Sequence, residues 1–175
     1  MKYLLVILML VISSSSSIAA VVSDDAIAKL EEYIINNPDK KAKIATVMEN
    51  GIKKSLKNMV KELPTILDSK TTLTSVGYKD KVITYTAEYD WEGIPVSVLK
   101  HNLKETTAAQ DAAYTFICTT PVSKLVVDHL NITYEYLYYD KDSGEYVGQI
   151  IIDSCSDKPA TNVNSYSNAS GEAKF

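Results

Sequence analysis

The sequence predicts an α+β domain: a four-stranded antiparallel sheet made of two hairpins separated by helices, with the N-terminal helices packed on one face. Two periodicities carry that prediction. Apolar residues recur at three- and four-residue spacing up to Leu63 and again from Pro95 to Leu130, the mark of helices with one buried side. Residues 71–89 and 132–152 instead alternate in the period-2 pattern of half-buried strands. The third observation is that the only two cysteines, Cys118 and Cys155, bracket a short helix and the second hairpin. A chain of 175 residues with 46% hydrophobic content suits one domain with its own core.

The first residues stand apart. Met1-Lys2-Tyr3 is a short basic start, Leu4 to Ile12 is apolar, and Ser13 to Ala20 is small and polar. That layout predicts a cleaved signal peptide over residues 1–19 and an exported protein, periplasmic or extracellular. The apolar run is too short for a hydrocarbon core, which needs roughly 20 residues, and nothing later is apolar enough to span a membrane in the mature chain. No cysteine stands at the cleavage site to carry a lipid anchor. The domain is expected over residues 20–155, with 156–175, rich in Ser, Asn, Ala and Lys and without periodicity, as a flexible C-terminal tail.

Within the domain, Ser23 can cap a first helix with Asp24 and Asp25 in its opening turn, where the helix dipole favours acids. Ile27, Leu30, Tyr33 and Ile34 share a side, and Asn36-Asn37-Pro38 ends the element. A second helix is expected from Pro38 to Leu63, with Ile44, Val47, Met48, Ile52, Leu56, Met59, Val60 and Leu63 as its apolar stripe and lysines on the far face. Strands follow at Thr71 to Val76 and Val82 to Tyr89 around a turn at Gly77-Tyr78-Lys79-Asp80, with Ile83, Tyr85, Ala87 and Tyr89 on the core side. From Pro95 a helix interrupted near Thr106-Thr107 leads to Cys118. Thr120 then caps a short helix that has Pro121 at its first position. The second hairpin pairs Ile132 to Tyr139 with Tyr146 to Ile152 across a turn at Asp140 to Gly144. Two cysteines in an exported chain are most simply a disulfide, and their separation is unlike a C-x-x-C redox motif.

Several strings resemble a family of small exported bacterial α+β proteins that has no assigned activity. Leu63-Pro-Thr-Ile-Leu-Asp-Ser-Lys-Thr-Thr-Leu, followed by Ile83-Thr-Tyr-Thr-Ala, is similar to the family's "LP.mvD..T.L" segment and "Y.Y" strand. Cys118-Thr-Thr-Pro, Ile132-Thr-Tyr-Glu-Tyr and the closing Cys155 are similar to its "C..P", second "Y.Y" and last cysteine. The chain departs from the pattern at Asn131, where the family usually has glycine before the strand. The resemblance implies location and fold and brings no site residues.

The chemistry is expected to be non-enzymatic. His101 and His129 stand on predicted helices outside any ligand-spaced cluster, and no phosphate-loop, dinucleotide, G-x-S-x-G or H-E-x-x-H motif is present. No catalytic residue, metal site or cofactor is predicted. The Asp140 to Glu145 turn is too short for an EF-hand loop. A formal net charge of −4 and the absence of arginine argue against nucleic acid as a partner. Tyrosine is the positive feature. Tyr134, Tyr136, Tyr138, Tyr139 and Tyr146 crowd one hairpin, and Tyr134, Tyr136, Tyr138 and Tyr146 with Trp91 make a candidate binding surface. The bland alternatives are half-buried strand tyrosines and a tryptophan lid over the core. The expected function is binding of another protein or an envelope component. The alternatives are an inhibitor or immunity-type protein, and a small hydrolase working through acidic residues such as Asp90 and Glu92.

Overall fold

The computed structural model describes residues 24–105 and 107–156, and of residues 102–105 and 107–109 the backbone only. The expected signal peptide and all of the tail beyond Ser156 lie outside the described residues. Helices α1 (Asp24–Asn36) and α2 (Lys41–Met59) lead into strands β1 (Thr65–Ile66), β2 (Thr71–Lys79) and β3 (Val82–Tyr89). Three helices follow, α3 (Val96–Glu105), α4 (Thr107–Thr119) and α5 (Pro121–Leu130), and then β4 (Thr133–Asp140) and β5 (Tyr146–Ile152). Pro121 opens α5, and the interruption expected near Thr106-Thr107 falls at residue 106, outside the described residues.

The α+β class holds, but the sheet differs from the expectation. It has five strands in the order β1-β2-β3-β4-β5 and is mixed, because β3 and β4 run parallel. The reason is the connection. A helical crossover returns the chain to the end of the sheet where β3 began. The Thr133 amide donates to the Lys81 carbonyl at 2.9 Å and the Lys81 ammonium to the Leu130 carbonyl at 3.3 Å, so β4 starts beside the start of β3. The extra strand, β1, is two residues long and pairs with Leu73 and Thr72. No period can be read from two residues.

The first hairpin turn also moves. β2 continues through Gly77 to Lys79, and Asp80-Lys81 makes a two-residue loop with positive φ at both positions, 50° and 66°, the backbone that matches strand twist. Asn131 likewise takes the left-handed conformation, with φ 56°, which asparagine tolerates at a helix C-terminus.

The core lies between the sheet and one helical layer. Ile83, Ala87 and Tyr89 of β3, Tyr134 and Tyr136 of β4, and Ile150 and Ile152 of β5 are buried on the same side. Ile117 of α4 and Leu125, Val126, Val127 and Leu130 of α5 meet them from the helices. α2 packs on β2 and α4 on β5, while α1 rests on α5 rather than on the sheet. The helix expected from Pro38 to Leu63 is α-helical only over α2, with 3-10 turns at Pro38–Lys40 and Val60–Glu62. Of its apolar stripe, Val47 and Val60 point outward, 65% and 51% exposed. No helix among the described residues is long and apolar enough to cross a membrane.

Candidate functional site

The segment from Cys118 to Cys155 is fastened at its far end by three separate contacts. Cys118, at the end of α4, is bonded to Cys155 across a sequence separation of 37. The Cys155 amide donates to Asp128 Oδ1 at 2.7 Å, and the Tyr114 hydroxyl donates to the Cys155 carbonyl at 2.7 Å. Asp128 also accepts from Lys124, one helical turn earlier, at 3.0 Å. Burial alone would raise the Asp128 carboxyl, but the Cys155 amide and the Lys124 ammonium outweigh it and hold the group below its ordinary value. The contribution to stability is therefore fully present above the ordinary carboxylate range and is lost as pH falls through the lowered folded-state value. Asp128→Asn is expected to cost about 1–2 kcal/mol near neutral pH. In denaturant melts the gap to the parent protein should narrow steadily as the pH is taken down into the acid range.

The tyrosines divide by face. Tyr134 and Tyr136 are in the core, 8% and 5% exposed, and Tyr138 is half-buried on the same side. Burial pushes all three phenols up, Tyr136 most strongly. Tyr136 stacks on Tyr85 with ring centroids 5.3 Å apart, and the Tyr134 hydroxyl reaches Ser123 Oγ of α5 at 3.4 Å. Trp91 packs on the buried ring of Tyr89 at 4.2 Å and closes that end of the core. Four of the five residues of the expected binding surface thus hold the fold together. Tyr146, 40% exposed, is the exception.

Tyr146 belongs to the other face of the sheet, on which no described element packs. There Tyr139 lies opposite Tyr146 with ring centroids 5.6 Å apart in an edge-on contact. The Tyr146 hydroxyl reaches Gln149 Oε1 at 3.3 Å. Leu137 and Ile151 are half-buried on this face, and the Thr84 hydroxyl donates to Glu135 at 3.0 Å. The face is part apolar and part polar, and its aromatic pair sits at the β4–β5 turn. Tyr139 is one of the tyrosines expected to crowd the hairpin but stands outside the expected binding surface. Its alternation with Tyr138 was legible, but the side on which the helices would pack was not.

A separate hollow of about 500 Å³ opens between residues 93–97 and 140–145. Of its charged groups, Lys100 pairs with Glu145, and Asp140 accepts from the Ser143 amide at 2.9 Å and hydroxyl at 2.6 Å. The Ser143 contacts hold Asp140 below its ordinary value, the opposite of what a general acid needs. Asp90 caps its own loop by accepting from the Glu92 amide at 2.9 Å, and Glu92 pairs with Lys70. His129 meets Glu31 at 2.8 Å and ties α5 to α1. Among the described residues no group of three potential ligands could hold a metal ion.

The described residues form an α+β fold with one helical layer and one sheet face that no described element covers. No protein-family model matches the chain, and no curated protein matches it. Among solved structures, a crystal structure of a Pseudomonas aeruginosa protein inferred to be secreted is similar over 61% of this chain and 92% of its own, with a TM-score of 0.47 and 10% identity.

Proposed function

We propose that this is an exported, non-enzymatic protein that binds another protein or envelope component through the open face of its sheet. Tyr139 and Tyr146 are the anchors and Leu137, Gln149 and Ile151 the surrounding contacts. The observation that carries the reading is the Tyr139–Tyr146 pair on an uncovered face. Paired tyrosines offer large, stiff contact area with polar tips at small entropic cost. Export is supported by the signal-like start of the chain, by the bonded cysteine pair and by the resemblance to exported bacterial proteins.

The experiment is capture of partners from the cell envelope by the mature protein and by a Tyr139→Ala/Tyr146→Ala variant. The variant is expected to keep its melting temperature within a few degrees and to lose captured partner at least about tenfold, as hot-spot tyrosines do. Equal recovery by the two proteins would remove this face from the account.

A further inference from the structure

We infer that the outer face of α2 docks the protein on an anionic phospholipid surface. Residues 40–61 carry seven of the chain's lysines against a single acid, Glu49, while the remainder of the chain has an excess of ten acids. The lysines are not scattered around the helix. Lys43, Lys54, Lys57 and, in the following 3-10 turn, Lys61 fall at spacings that place them on one side, opposite the buried Ala45 and Leu56. All four are exposed. Among the described residues none of the four stands in an ion pair.

An unneutralised row of this kind on an otherwise acidic molecule makes a strongly polarised charge distribution. An anionic surface would repel most of the protein and attract this side, which fixes orientation as well as affinity. Lysine suits the task. Its compact charge responds to the diffuse field of many headgroups, without the bidentate geometry that arginine brings to a single phosphate. Val47, 65% exposed, lies one turn beyond Lys43 on the same side, and Ile66, 77% exposed, follows Lys61 closely in the chain. Both offer shallow apolar contacts of the sort interfacial helices place at the headgroup boundary. Because α2 packs on the helical side of the sheet, a protein resting on it would turn the Tyr139–Tyr146 face away from the membrane. The inference stands independently of the binding reading for that face.

The test is flotation of the mature protein with phosphatidylcholine vesicles containing phosphatidylglycerol, beside vesicles of phosphatidylcholine alone. Binding is expected to the anionic vesicles only and to fall as salt is raised. Each lysine is expected to contribute about fivefold. The variant Lys43→Gln/Lys54→Gln/Lys57→Gln/Lys61→Gln should therefore bind at least about a hundredfold more weakly while melting like the parent. A charge-matched control, Lys29→Gln/Lys79→Gln/Lys81→Gln/Lys141→Gln, should keep most of the binding. No flotation with anionic vesicles at low salt overturns the inference, as does equal loss in both variants. Tighter binding to a duplex DNA probe than to the vesicles would overturn the assignment to lipid.

Discussion

Tyr136→Ala is expected to destabilise the protein by about 3–5 kcal/mol, the range for removing a large buried aromatic side chain. The ring is 5% exposed, stacked on Tyr85 and directly opposite Ile150 of β5. Its loss opens a cavity between the sheet and the helices that neighbouring side chains fill only in part. A single domain is held by about 5–15 kcal/mol in total, so the variant should sit near the edge of folding. Tyr139→Ala, three positions along the same strand, should cost less than about 1 kcal/mol, because that ring stands on the uncovered face. Chemical denaturation of the two variants side by side checks the contrast. Equal losses would mean that the two faces of β4 have been exchanged.

The second large effect is at the staple. Replacing Cys118 and Cys155 with serine frees a loop of 37 residues, for which chain entropy gives about 4 kcal/mol. The Asp128 and Tyr114 contacts on the Cys155 backbone remain in that variant, so the folded state should keep its arrangement while its stability drops. Denaturant midpoints for the parent, the double-serine variant and the reduced parent should show the last two falling together, well below the first. A double-serine variant with the parent's midpoint would leave the Asp128 and Tyr114 clamp as sufficient fastening. Non-reducing mass spectrometry of the folded protein should find no alkylatable thiol.

Much of the local structure was legible. The 3.6 period located α2 through Ile52 and Leu56, proline marked the start of α5, and alternation in β3 assigned Ile83, Ala87 and Tyr89 to the core. The sheet's connectivity was harder because period-2 patterns specify that a strand exists and say nothing of its neighbour. Two hairpins joined by helices can be laid side by side in several ways, and only contacts such as Thr133 to Lys81 select the parallel junction. Which tyrosines face outward was hard to read for a related reason. On β4 one alternate set is Tyr134, Tyr136 and Tyr138, and the other contains Leu137 and Tyr139. Both are amphipathic, so composition does not choose between them. Ile150 and Ile152 on the neighbouring strand and the buried side of α5 make the choice.

Val47 carries a similar lesson. Its place in a 3-4 apolar pattern reads as core, yet it is exposed, because the buried side of α2 is centred on Ala45 and Leu56. Small Ala45 gives a weak hydrophobic signal in the sequence although it is buried. The lysines around Val47 were legible as a far face, but whether acids from other elements neutralised them depended on the fold.

The measurement that tests the account most directly is site-specific photo-crosslinking in the exporting cell. A photoreactive residue is placed at Tyr146, at Gln149 on the same face, or at Thr46 on α2. A discrete adduct with a protein or another non-lipid envelope component is expected from Tyr146 and Gln149, and at most lipid adducts from Thr46. A discrete non-lipid adduct confined to Thr46, or none from the sheet face while folding is intact, would contradict the reading.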